Sequence, residues 1–261
     1  MVMTYIPEPD SDASGLGIGF GDCPISLRPW RGFVFGAKHV AETDYDSLRD
    51  FCGAERLSTV PGLLSTTGAP PVRDYDHQVG PADFYTTPFT VGEHLANGSG
   101  TIISVGMMPD GNVAMIGGLQ NGEGGKGGLQ IAFLQDNYQL QVQATDITGA
   151  TRAWTLPVPK PAGGTPYGQI LMAAGVLTPT TIMGYSQNSA GIGSGAAVAK
   201  PAGAYAPSDR RYKIGASYVG QYTGIEALTL VLFYQAALTT AQLAQIYADI
   251  KAWLNEHAMG A

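Results

Sequence analysis

The ending of this chain, residues 226–254, constrains its fold more than any other stretch: an apolar strand pattern runs straight into an amphipathic helix pattern. In EALTLVLFYQ, a period of two puts Leu228, Leu230, Leu232 and Tyr234 on one face and Thr229, Val231 and Phe233 on the other. Both faces are mostly apolar, so such a strand needs cover on both sides. Thr239, followed three residues later by Gln242, supplies a capping-box start for a helix over residues 239–256. Leu243, Ile246, Tyr247, Ile250, Trp253 and Leu254 then make one helical stripe. The pattern implies a layered β protein that its last helix closes.

Composition agrees with that reading. The 261 residues include 36 Gly and 17 Pro with only 13% charged residues, which suits many strands joined by tight turns and favours an all-β fold. The formal net charge of −7, with 14 scattered Lys and Arg, argues against a nucleic-acid partner. No apolar window is long enough for a transmembrane helix, so no membrane insertion is expected. The opening MVMTYIPEPDSDASG has neither a basic region nor an apolar core, so no signal peptide is expected. Cys23 and Cys52 are accordingly expected as reduced thiols. Pairing them would close a loop of about 28 residues, worth roughly 3.5 kcal/mol on chain-entropy grounds. The four histidines, His39, His77, His94 and His257, have no metal-ligand spacing.

Residues 1–27 are polar and rich in Gly and Pro and read as an N-terminal arm. Gly15, Gly17, Gly19 and Gly21 do not make a dinucleotide fingerprint, because no helix pattern follows. Strand patterns then recur at the spacing of a sandwich, over 30–36, 84–95, 101–107, 112–117, 129–135, 138–144, 151–156, 169–174, 181–186 and 211–217. Asn97-Gly98, Asp110-Gly111 and Asp136-Asn137 are turn signals between them. The cleanest alternation is 138–144, with Tyr138, Leu140, Val142 and Ala144 inward and Gln139, Gln141 and Gln143 outward. Residues 64–83 and 187–209 read as loops.

Several of these segments carry a resemblance. They are the strand 230–234, Ala237 to Thr239, and Ile246, Tyr247 and Trp253; the turn with Asp50, Gly53 and Gly62; the pair PFTVGEHLANGSGTIISVG and GLQIAFLQDNYQLQVQA; and the pieces TTIMGYSQNSAG and RRYKIGAS. In order and spacing the chain resembles the concanavalin A-like lectin/glucanase superfamily over residues 28–256, in particular its laminin G-like members. Cys52 stands where serine is usual, and Ala54-Glu55 replaces Asn-Gly. The resemblance implies an all-β, antiparallel two-sheet jelly-roll β-sandwich over 28–256 with a short C-terminal α-helix.

Some enzymes of that superfamily carry E-x-D-x-E on one strand, whose period of two puts both glutamates on one face. Glu42-Thr43-Asp44-Tyr45-Asp46 is one methylene short and sits beside a turn, so it reads as a solvated acidic turn and no catalytic residue is expected. A polysaccharide-degrading enzyme is the alternative. No cofactor is expected either: Asp74, Asp76 and His77, and likewise Asp10 and Asp12, lack the clustered oxygens of the Ca²⁺ sites that some relatives have. The Gly-rich stretch 121–128 lacks a Lys-Ser/Thr pair and reads as a hairpin tip.

Sugar binding needs aromatic surface and fixed amides or carboxylates. Tyr185, Gln187, Asn188, Tyr205 and Asp209, which bracket the long loop, have those side chains. The expected function is a non-enzymatic binding or structural module. The weakly charged Gly/Ala/Ser/Thr-rich surface resembles concanavalin A-like domains of bacteriophage virions, as tail, fibre or capsid-surface components. The resemblance implies assembly in the host cytoplasm, residence in the virion, other subunits or further copies of the chain as partners, and recognition of cell-surface carbohydrate. The arm would then dock on a neighbour. A free bacterial carbohydrate-binding module is the third reading.

Overall fold

A computed structural model describes residues 25–36, 64–73, 76–118, 128–145, 151–160, 169–200, 209–218 and 220–256. The expected acidic turn at 42–46, the calcium candidates Asp10, Asp12 and Asp74, both cysteines and the stretch 121–127 lie outside them. The strands are β1 (Arg31–Val34), β2 (Ser65–Thr67), β3 (His77–Val79), β4 (Phe84–Thr90), β5 (Gly100–Asp110), β6 (Val113–Gly117), β7 (Leu129–Leu134) and β8 (Gln139–Thr145). They continue as β9 (Thr151–Pro157), β10 (Ile170–Leu177), β11 (Thr181–Asn188), β12 (Gly191–Ser194), β13 (Val198–Ala199), β14 (Arg211–Ile214) and β15 (Ile225–Tyr234). The helices are α1 (Val91–His94) and α2 (Thr240–Glu256).

Two antiparallel sheets form a β-sandwich. One has eight strands in the order β1-β15-β5-β10-β11-β12, with β3 paired to β15 and β13 to β11; the other has seven, in the order β2-β4-β14-β6-β7-β8-β9. The expected fold class is therefore what the chain adopts. Gly98 and Gly111 take left-handed φ values of 69° and 101°, as their Asn-Gly and Asp-Gly turns require.

Strand β15 lies inside its sheet, between β5 on one side and β1 with β3 on the other. Its two faces feed two separate cores. Leu228, Val231 and Phe233 join the core that includes Ile131, Phe133, Leu140 and Val142 of the opposite sheet. Leu230, Leu232 and Tyr234 join a second core with Leu243, Ile246, Ile250, Trp253 and Leu254 of α2. Leu228 therefore does not share a face with Leu230, as simple alternation predicts. The pairing with β5 slips between Leu228 and Leu230, and this bulge reverses the facing of Leu228 relative to the residues after it.

Helix α2 starts at its capping box. Gln242 N–H donates to Thr239 Oγ1 at 3.3 Å, and Thr239 N–H donates to Gln242 Oε1 at 2.9 Å. Residues 25–27, the end of the expected arm, pack under it: Ile25 is buried in the helix core, and Ser26 donates through N–H and Oγ to Asp249 Oδ2 at 2.8 and 2.6 Å. Three other expectations are corrected. Residues 84–95 split into β4 and α1, because Thr90 and Glu93 form a second capping box that turns the chain out of the sheet. The loops at 64–83 and 187–209 contain β2, β3, β12 and β13, short strands held by pairing to stronger neighbours. Their two to four residues are too few to show a period.

Buried polar groups tie the layers together. His94 Nε2 lies 2.8 Å from the Tyr234 carbonyl of one sheet, and Nδ1 lies 2.8 Å from the Tyr212 hydroxyl of the other. A carbonyl only accepts, so Nε2 carries the proton and Nδ1 accepts from Tyr212. Burial lowers the His94 pKa to about 4, against the pull of the Tyr234 and Thr101 backbone. Glu226 is wholly buried; Ser104 Oγ donates to its Oε1 at 2.9 Å, while Oε2 has no partner. Burial raises its pKa to about 7, with the Ser104 bond opposing.

These two groups work against each other in pH. The Glu226 pKa is raised on folding, so the unfolded chain gives up that proton more readily, and stability falls as pH climbs from about 4.5 to about 7. The His94 pKa is lowered on folding, so stability falls as pH drops from about 6.5 towards 4. Glu226→Gln should therefore raise stability at pH 8 by about 3 kcal/mol and give no such gain below pH 4.5, read as urea midpoints across pH. Trp253→Ala, which empties a site buried between α2 and the sheet, should cost about 3–5 kcal/mol in the same assay.

Candidate functional site

The outer face of the eight-stranded sheet is covered by α2 over β15, β5, β10 and β11. The outer face of the seven-stranded sheet carries a different surface. In β7, Leu129, Ile131 and Phe133 enter the inter-sheet core, leaving Gln130, Ala132 and Leu134 outward. In β8, Leu140, Val142 and Ala144 point in, leaving Gln139, Gln141 and Gln143 outward, as the alternation predicts. Register places Gln130 opposite Gln143, Ala132 opposite Gln141 and Leu134 opposite Gln139. An amide ladder two strands wide results.

The connection from β14 to β15 is fastened along β6. Gly215 N–H donates to the Met115 carbonyl and Gly224 N–H to the Asn112 carbonyl, both at 2.9 Å. It crosses the sheet where β6 has Gly117, at which a Cβ would sit 2.2 Å from the Ala216 carbonyl oxygen. From this strap Tyr222 lays its ring on Ala114 and Ala132, whose small side chains leave room for it. Its hydroxyl lies 3.2 Å from Gln141 Oε1, 3.4 Å from Gln143 Oε1 and 3.5 Å from Gln130 Nε2. Gln130 Nε2 also donates to Gln143 Oε1 at 2.8 Å. Burial raises the Tyr222 pKa, with Gln221 and Gln130 opposing, so the phenol stays a donor at neutral pH.

The same strap drops Tyr218 on the other side of Gly117. Lys213 Nζ sits 4.3 Å from the centre of its ring and 4.7 Å from that of Phe84, while the Arg210 guanidinium sits 5.1 Å from Tyr218. Tyr218 OH donates to the Arg211 carbonyl at 2.7 Å, which fixes the ring. Burial raises the Tyr218 pKa against the pull of Arg210 and Arg211, and burial lowers that of Lys213. The face is thus amides and one buried hydroxyl on one flank, cations held on aromatic rings on the other.

The residues singled out in the sequence sit elsewhere. Tyr185 is wholly buried in the helix core and donates its hydroxyl to Gln187 Oε1; burial, with Tyr247 adding to it, pushes its pKa up to about 12. Asn188 is buried, with Nδ2 donating to the Pro159 carbonyl at 2.8 Å and Oδ1 accepting from Ala190 N–H at 2.9 Å. Gln187 is half-buried and Asp209 exposed, and Tyr205 lies outside the described residues. The structure thus brings Tyr185 and Gln187 into contact and engages the Asn188 amide internally. Of the calcium candidates, Asp76 is held by Arg73 at 2.6 and 2.8 Å. Among the described residues no group of three or more His, Cys, Asp or Glu converges as metal ligands do. The outward Gln139, Gln141 and Gln143 were visible in the sequence, but nothing there links them to Tyr222, about 80 residues on.

No protein-family model matches the chain, and no curated protein matches it in sequence. Solved structures do. An HCR/D mutant superposes with a TM-score of 0.57 at 7% identity, over 87% of this chain and 52% of that one. The receptor binding domain of botulinum neurotoxin mosaic serotype C/D gives 0.55 at 8%, over 85% and 50%. The binding domain of botulinum neurotoxin serotype D gives 0.53 at 6%, over 85% and 50%. The chain spans about half the length of these proteins, and at such identities the likeness is one of fold, a β-sandwich.

If Tyr222 clamps the ladder as described, Tyr222→Phe should keep the ring on Ala114 and Ala132 while removing the hydroxyl from the glutamines. The expected loss is about 1 kcal/mol by urea denaturation. The side-chain amide NMR signals of Gln141 and Gln143 should broaden or move together.

Proposed function

We propose that this protein is a non-catalytic carbohydrate-binding module whose ligand lies on the outer face of the seven-stranded sheet. One observation carries the reading. The oxygens of Gln141 and Gln143 are drawn to Tyr222 and Gln130, while their Nε2 groups have no partner among the described residues and both side chains are half-exposed. Two amide donors on one strand face, about 7 Å apart, are set at the scale of a single sugar unit. Their rotamers are held before any ligand arrives, which lowers the entropy cost of binding. Amides at these positions neither give up nor take up a proton, whereas glycoside hydrolysis needs a pair of carboxyl groups flanking the scissile bond.

A receptor binding domain of a botulinum neurotoxin is among the fold neighbours, which is in keeping with a binding role for this fold. We further propose, from the weakly charged Gly-rich composition, that the module works inside a larger assembly, as a virion tail, fibre or capsid-surface component made of several copies or subunits. Tyr185, Gln187, Asn188, Tyr205 and Asp209 stand as the competing location for the ligand at the rim.

Glycan-array binding tests the location. The double variant Gln141→Ala, Gln143→Ala should lose binding while keeping its thermal midpoint within a few degrees. Asp209→Asn should bind like the parent. The opposite result moves the site to the rim, and release of reducing sugar from any bound polysaccharide replaces the reading with the hydrolase.

A further inference from the structure

The outer face of the seven-stranded sheet is closed on one side of Tyr222 and open on the other. On the β6 side the strap lies on the sheet, with the Ala216 carbonyl against Gly117, and Gln130 is buried beside the Tyr222 hydroxyl. On the β9 side Ala153, Thr155 and Pro157 are exposed, and register sets them opposite Gln143, Gln141 and Gln139 of β8. A lane therefore runs along β8, walled by Tyr222 on its β7 flank and reaching the sheet edge at β9. Gln139 to Gln143 covers about 14 Å along the strand, and the step across to Thr155 is about 5 Å. A chain of sugars has room along β8, whereas across the strands it meets the Tyr222 ring and the strap.

The lane both donates and accepts hydrogen bonds. Gln141 and Gln143 offer N–H groups, because their oxygens are used within the ladder. Gln139 is half-buried and Thr155 exposed, and neither side chain has a partner among the described residues. The first therefore offers a whole amide and the second a hydroxyl. None of the six outward positions on β8 and β9 carries a charge. Lys213 stands three strands from β8, about 14 Å at the usual spacing, which exceeds the Debye length of about 8 Å at physiological salt. At the other end, the turn that leads into β8 exposes a carboxylate, Asp136.

We propose that the ligand is a neutral, hydroxyl-rich glycan laid along β8 in this lane, with Thr155 of β9 as a contact residue beside Gln139, Gln141 and Gln143. This rests on the carbohydrate-binding reading and names its ligand class and path. A sugar hydroxyl donates and accepts from one atom and so matches amides and a hydroxyl alike. A carboxylate or sulfate only accepts, and in this lane it would shed water with no cation beside it. The Tyr222 ring is 5% exposed, so no aromatic face is presented for stacking and affinity comes from hydrogen bonds. A few neutral hydrogen bonds give one site a Kd of about 1 mM.

A glycan array printed with neutral galactose, glucose, mannose and N-acetylglucosamine oligomers, each beside its sulfated or uronic-acid counterpart, gives the first readout. Neutral members should be bound, and their charged counterparts less well. NMR titration of ¹⁵N-labelled protein with the best-bound neutral oligomer then measures Kd. It should hold between about 50 and 300 mM NaCl and in Lys213→Gln. Thr155→Val, which keeps the shape of an exposed side chain, should weaken binding about fivefold, the worth of one neutral hydrogen bond. Thr155→Ser should bind like the parent, which separates loss of the hydroxyl from a disturbed strand. Tighter binding of a charged counterpart, or a Kd that rises with salt and in Lys213→Gln, overturns the neutral assignment. Parent-like binding by Thr155→Val takes the ligand off β9 and overturns the path. In both cases loss of binding in Gln141→Ala with Gln143→Ala leaves the carbohydrate reading standing. If no glycan on the array binds, both readings fall.

Discussion

Burial of β15 on both faces is the constraint from which the rest of the molecule follows. A strand with Val231 and Phe233 on one side and Leu230 and Leu232 on the other cannot face water in either direction. The opposite sheet covers the first side, and α2 covers the second through Leu243, Ile246, Ile250 and Trp253. Once the helix lies there, the eight-stranded sheet has little outer surface left over its central strands. The face available for a ligand is that of the other sheet. His94 secures the same join from inside, bonded to Tyr234 in one sheet and Tyr212 in the other, with the Phe233 ring 5.5 Å from its own.

That available face is organised by the segment between β14 and β15. It turns on Gly215, crosses at Gly117, and delivers two tyrosines to opposite flanks. Tyr222 consumes amide oxygens and so leaves amide nitrogens outward; Tyr218 and Phe84 hold a cation in place. The strap is thus both a structural fastening and the source of the surface's donor character. The strand that follows it is β15 itself, so the elements that seal one sheet and equip the other are consecutive in the chain.

Much of this was legible in the sequence. The capping box at Thr239, the helical stripe ending at Trp253, and the inward and outward split of 139–144 follow from local periodicity and are found as expected. The reversal at Leu228 was not legible, because a bulge is a mismatch in pairing between two strands, which the alternation of one strand alone does not show. The split of 84–95 was signalled by Thr90-Val-Gly-Glu93, a cap pattern that the surrounding strand residues outweighed. Tyr185 and Asn188 have side chains suited to a sugar, but tertiary packing places the ring under α2 and spends the amide on backbone groups. Conversely, Gln130, Lys213, Tyr218 and Tyr222 come onto one face only after β7 and the distant β14 with its following strap are brought into one sheet. Residue type locates chemistry; only topology locates neighbours.

The central claim is that sealing one sheet makes the outer face of the other the working surface. Chemical-shift mapping of ¹⁵N-labelled protein during titration with a glycan that binds it tests this most directly. The account predicts that the side-chain amides of Gln130, Gln141 and Gln143, with backbone amides near 216–223, move together. Signals from α2 and from residues 187–194 should stay in place. Shifts confined to residues 187–194 and 209, with the amide ladder silent, would contradict it.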